Sequence, residues 1–213
     1  MRTVLLAALM SLGAAAPAFA DSCDDLSTVL QNDWAQVNYE SPKAERKDRM
    51  EHLATQANTV VSQCRGRAEP LVWDAIITAS AAGLKGGLGA LGDVKQARSM
   101  LEQAERIKPD AMDGSVYTTL GSLYAQVPGA PISFGDKNKA RGYLTKALQI
   151  SPNGIDPNFF MADLLMREHD YAGAMRYLNK VMTAPARPGR DLADRGRRQE
   201  AQQMMGEVRK HLS

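Results

Sequence analysis

Histidines, paired carboxylates and glycine-rich loops are the parts of this chain with chemical potential, and their spacing limits what they can do. The three histidines, His52, His169 and His211, are scattered. A helical zinc site needs imidazoles on one face, as in His-x-x-x-His or His-Glu-x-x-His, and neither spacing occurs. No metal site is therefore expected. A serine nucleophile on a Gly-x-Ser-x-Gly elbow is also missing. Glu102 and Glu105 sit three apart, but Arg98 and Arg106 flank them and make a solvated charged helix face. Gly86, Gly87 and Gly89 match a phosphate-cradling loop in composition only, since no Lys-Ser/Thr follows and no strand precedes. The expectation is a non-catalytic protein without a cofactor.

The two cysteines offer a different chemistry. The first 20 residues read as a secretory leader, with Arg2 ahead of an apolar run Val4 to Ala16 and Ala18-Phe19-Ala20 at the junction. The run is shorter than the roughly 20 residues of a membrane span. Cleavage after Ala20 and a periplasmic destination are expected. Asp21 interrupts the small apolar run before Cys23, which speaks against lipidation. Loss of Arg2 takes the formal net charge from +2 to +1, a balance that argues against a nucleic-acid partner. No other segment is long and apolar enough to span a membrane. In an oxidising compartment Cys23 and Cys64 are expected to pair.

Helix geometry agrees with that pairing. Leu26, Val29, Leu30, Trp34 and Val37 recur at helical spacing and predict a helix from about Asp24 to Tyr39, broken by Ser41-Pro42. Met50, Leu53, Ala57, Val60, Val61 and Cys64 form the stripe of a second helix. An antiparallel hairpin turning at Ser41 brings the two cysteines to the same end, with a mismatch of about 7 Å at 1.5 Å per residue.

The remaining elements come from repetition. Leu91-Gly-Asp-Val-Lys-Gln-Ala-Arg98 aligns with Phe134-Gly-Asp-Lys-Asn-Lys-Ala-Arg141, 43 residues later. Asp136, Ala140, Leu144 and Ala147 align with Asp170, Ala174, Leu178 and Val181, 34 residues later. Apolar spacing of three and four predicts helices at about 69–83, 93–107, 113–126, 136–149, 157–167, 170–183 and 191–211. Asp93, Asp136 and Asp170 are expected as helix N-caps. The last segment, with Ala201, Met204, Met205, Val208 and Leu212 on one face, reads as a solvating cap helix.

These positions resemble tetratricopeptide repeats. Tyr117, Leu120, Gly121 and Tyr124 match the first helix of a repeat; Ala140, Leu144, Ala147 and Pro152 match the second. The resemblance implies an all-α stack of antiparallel hairpins, a short α-solenoid with a concave binding face. The chain then divides into a signal peptide (1–20), a stapled hairpin (21–67), three repeat-like hairpins (68–188) and the cap helix (189–213). Two loops depart from the repeat pattern, one from Gly83 to Asp93 and one from Val127 to Asp136; both are rich in Gly or Pro and end in Gly-Asp. The second carries a Pro-x-x-Phe-Gly-Asp-x-x-x-Ala insertion at Pro131, Phe134, Gly135, Asp136 and Ala140. It resembles the TatT-type periplasmic repeat proteins that accompany TRAP-type solute transporters.

The leading functional expectation is a non-catalytic scaffold that binds a protein or peptide partner in the cell envelope. The alternative, implied by the narrower resemblance, is a transporter accessory holding an apolar small molecule beneath the two loops. The candidate binding residues are Pro128, Pro131 and Phe134 of the second loop, with Tyr143, Phe160 and Tyr177. Tyr143 and Tyr177 lie outside the key packing positions. Phe159 and Phe160, being adjacent on a helix, point about 100° apart, so one of them is free to line a groove.

Overall fold

The computed structural model describes residues 17–212, with side chains from Ser22 onward. The expected signal peptide falls almost wholly outside these residues. Nine α-helices follow in order: α1 (Pro17–Tyr39), α2 (Arg46–Gln63), α3 (Ala68–Lys85), α4 (Leu91–Ile107), α5 (Ala111–Gln126), α6 (Lys137–Ile150), α7 (Ile155–Arg167), α8 (Tyr171–Thr183) and α9 (Asp191–Lys210). The described residues contain no β-strand, only an isolated bridge between Gly129 and Gly135. The protein is an all-α stack of helical hairpins, α1–α2, α3–α4, α5–α6 and α7–α8, followed by α9.

Small residues set how closely the hairpins pack. Ala140, Leu144 and Ala147 of α6 are fully buried. Gly121 of α5 lies so close to α6 that a β-carbon there would meet Leu144 Cγ at 2.6 Å. The Cys23–Cys64 disulfide, with Cα atoms 5.8 Å apart, ties α1 to α2. Two buried clusters result. One runs through α3 to α9; the other joins α1, α2 and α3 with Ala193 of α9, and Ile76 and Met112 pack against both.

Two of the three aspartates act as caps. Asp136 Oδ1 accepts from the amides of Asn138 and Lys139 at 2.9 and 3.0 Å, and Asp170 Oδ1 from Gly173 at 2.8 Å. Asp93 does not. A 3-10 turn at Leu88–Ala90 runs straight into α4, so the helix starts before Asp93. Its carboxylate instead meets Lys85 Nζ at 3.0 Å.

The start of α5 also differs from expectation. Met112, Asp113 and Gly114 take left-handed backbone angles, with φ of 53°, 54° and 81°. Such a turn costs an L-residue roughly 1–2 kcal/mol. It carries Met112 to the junction of the two buried clusters.

Asp74, on α3, is 1% exposed and accepts from Thr78 Oγ1 at 3.2 Å. Burial pushes its carboxyl up to about 6, against hydrogen bonds from Thr78 and Asn58. A raised carboxyl destabilises the fold once it must ionise. The penalty is absent below the ordinary value of 3.8, grows as pH rises towards 6, and is complete above it. We expect Asp74→Asn to be more stable than the native protein by roughly 2–3 kcal/mol at neutral pH, with the difference vanishing near pH 4. Urea unfolding at several pH values checks this; a pH-independent difference would remove Asp74 as its source.

Candidate functional site

The first helices of the hairpins and α9 surround a cavity of about 710 Å³. From α3 it takes Trp73, Ile76, Ala79 and Gly83 among others; from α5, residues on one face including Met112, Thr119, Ser122 and Gln126; from α7, Phe159 and Phe160. Trp34 and Asn38 of α1 complete that wall, and Trp34 Nε1 is fixed by donating to Ser80 Oγ at 3.0 Å. The hydroxyls of Ser115, Thr118 and Thr119 donate to carbonyls of α5 itself, so this wall makes little polar demand on an occupant. Both Gly/Pro loops reach the opening. Leu88 is 78% exposed and Ile132 56% exposed, and both line the cavity.

The other end is charged. Glu200 Oε2 meets Arg197 Nη1 at 2.6 Å, and Arg197 Nε meets Asp156 Oδ1 at 2.9 Å. Asp156 Oδ2 then meets Arg187 Nη1 at 2.7 Å, and Arg187 Nη2 meets Asp194 Oδ1 at 2.6 Å. Burial works to raise the Asp156 carboxyl, but Arg197, Arg187 and Arg190 outweigh it and hold it well below the carboxylate range. Arg197 also lies over both phenyl rings, 4.6 Å from the Phe159 centroid and 4.9 Å from that of Phe160.

Arg190 stands apart from this chain. It is delivered by the turn between α8 and α9, and its guanidinium carbon lies 5.4 Å from the centroid of the Trp73 ring. Its side chain forms no hydrogen bond or ion pair among the described residues, and Nε is buried without a partner. Burial, in part offset by Asp156, lowers its affinity for the proton.

The TRAP transporter T-component family matches residues 36–211, which include every cavity-lining residue except Trp34. The chain belongs to this family. No curated protein matches it. Among solved structures, one titled as a functional characterization of Pseudomonas aeruginosa pilF aligns over 90% of both chains at 15% identity, with a TM-score of 0.37.

The fold separates the six candidate binding residues. Pro128 and Phe160 line the cavity. Pro131 sits in the same loop as Pro128, after a cis peptide bond from Ala130, and is exposed away from the lining. Phe134 and Tyr143 belong to an aromatic ladder elsewhere. Tyr117 stacks on Tyr143 at 6.1 Å, Tyr143 on Tyr124 at 5.7 Å, and Phe134 meets Tyr124 edge-on at 5.3 Å. Arg98 of α4 covers Phe134 at 4.5 Å, and Lys146 covers Tyr117 at 5.0 Å. This ladder pins the 127–136 loop against α4 and α6. Tyr177, on α8, packs under Lys180 at 5.3 Å.

The cavity also contains residues that spacing did not single out for it. Trp34 reads as part of the first helix's apolar stripe, and Arg190 lies in a Pro/Gly turn outside the repeat positions. A second depression, of about 520 Å³ between α1 and α2, is lined mainly by charged and polar residues such as Asp33, Arg49 and Gln56. Among the described residues no cluster of His, Cys, Asp and Glu is placed to hold a metal, and no helix is long and apolar enough to cross a membrane.

Proposed function

We propose that this chain is a periplasmic, non-catalytic accessory of a TRAP-type transporter, and that it holds an apolar small molecule in the central cavity. The observation that carries this reading is the cavity itself. It has the size of small-molecule sites, apolar walls, a few fixed polar groups at one end, and loops at the opening. Family membership supports the transporter context. The secretory leader and the disulfide support an oxidising compartment.

The scaffold reading is less favoured because of α9. An extended peptide needs an open concave groove, whereas α9 crosses from α8 to α1 and supplies Arg197 and Glu200 to the cavity. What remains is a partly enclosed cleft.

A neutral apolar dye, Nile red, tests occupancy. We expect saturable binding to the native protein. Ser122→Trp fills the cavity from α5 and should weaken binding by about tenfold or more while leaving the thermal midpoint within a few degrees. Unchanged affinity in Ser122→Trp would place the dye elsewhere and remove the cavity as the ligand site.

A further inference from the structure

We infer that the occupant is an amphipathic carboxylate, with its tail along the apolar wall and its carboxylate on the guanidinium of Arg190. The inference rests on the proposal that the cavity is a ligand site. It goes further by naming the ligand's chemical class and the residue that selects it.

The first support is the unequal treatment of neighbouring arginines. Arg187 and Arg197 each bridge two carboxylates. The Arg190 side chain has none, and its Nε is buried with no acceptor. Arg190 itself lines the cavity, and its terminal N–H groups have no acceptor within the described residues, so an occupant can supply one. A carboxylate suits a guanidinium best, because two parallel N–H donors meet two oxygens.

The second support is how Arg190 is held. Its guanidinium lies over the Trp73 ring. A guanidinium on an aromatic face keeps its in-plane N–H groups free for a further acceptor. Asp156 and Glu200, also lining the cavity, are already engaged by Arg187 and Arg197. They leave Arg190 to the ligand.

The third support is the shape of the cavity. The charged end lies beside Trp73, and the apolar lining continues along α3 to Gly83 and the exposed Leu88 at the opening. From Trp73 to Gly83 the helix rises about 15 Å at 1.5 Å per residue. An anionic head with a single medium-length tail fits this polarity; a polyanion or a wholly apolar molecule leaves one end unmatched. The local charges of Asp156, Asp194, Glu200, Arg187, Arg190 and Arg197 sum to zero. Recognition is therefore by short-range hydrogen bonds, not by a broad positive field.

Calorimetric titration with decanoate, decanol and decylamine tests this, since the three share a tail and differ in the head. For the native protein we expect decanoate to bind about tenfold or more tighter than decanol, and decylamine weakest. Arg190→Gln should abolish the decanoate advantage while leaving decanol within about twofold, and Arg190→Lys should keep part of it. Equal binding of decanoate and decanol would overturn the carboxylate and leave the cavity reading intact. No binding of any of the three would sink both. Equal losses for decanoate and decanol in Arg190→Gln would reduce Arg190 to a packing role and also overturn the inference. If Arg190→Gln does not fold, the native series together with Arg190→Lys decides.

Discussion

Asp156→Asn should lose about 3 kcal/mol of unfolding free energy. Asp156 is the shared carboxylate of the charged chain, with Arg187 at 2.7 Å and Arg197 at 2.9 Å. Its removal leaves two largely buried guanidinium groups short of a counter-charge. Breaking a buried pair from one side costs roughly 3–5 kcal/mol, and the lower end applies because the Asp156 side chain keeps 23% of its exposure. The effect also has a pH signature. A carboxyl held below its ordinary value of 3.8 stabilises the fold fully above that value and loses the contribution as pH falls below it. The native protein should therefore weaken below about pH 4, and Asp156→Asn should weaken less there. Urea unfolding followed by Trp34 and Trp73 fluorescence measures both. A variant within about 0.5 kcal/mol of the native protein at neutral pH would show the chain to be no more than a surface pair.

The double variant Cys23→Ser/Cys64→Ser should cost about 4 kcal/mol. The two cysteines are 41 residues apart, and the chain-entropy relation for a closed loop of that length gives this magnitude. More than stability is at stake, since α1 carries Trp34 and Asn38 to the cavity wall. Without the bridge α1 is held only by side-chain contacts, among them its apolar stripe and the Trp34–Ser80 hydrogen bond, and the wall loosens with it. Thiol titration of the unreduced native protein should find no free cysteine. Two free thiols, or a double variant with an unshifted urea midpoint, would remove the staple as a stabilising element.

The two sites of failure and success in reading this chain have physical causes. Hairpin packing is local, so residues such as Gly121, Ala140 and Leu144 announce their roles through spacing of three and four. Asp136 and Asp170 announce caps for the same reason. Asp93 misled because cap chemistry depends on where the preceding turn ends, and a 3-10 turn extended α4 past it. The cavity is harder to read, since it depends on where helices distant in sequence meet. Adjacency on a helix leaves one of Phe159 and Phe160 free to line a groove; in the fold both line the cavity. Phe134 and Tyr143 gave the same aromatic signal but serve the ladder that anchors a loop. Arg197 lies off the apolar face of the cap helix, yet Gly196 beside it lies against the Tyr39 ring and turns that part of α9 inward. Tyr39 and Gly196 lie on the first and last helices, and no sequence period links them.

That contact changes how the molecule should come apart. A linear row of repeats frays from its ends, because each terminal unit has one neighbour. Here the last described helix leans on the first, so the two end elements share one seam. Peeling α9 away exposes α1 and α7 together and empties the cleft between them. Amide exchange should then show the outermost helices protected to nearly the same degree as the middle hairpin, and the protein should melt as a single unit rather than shed hairpins in turn.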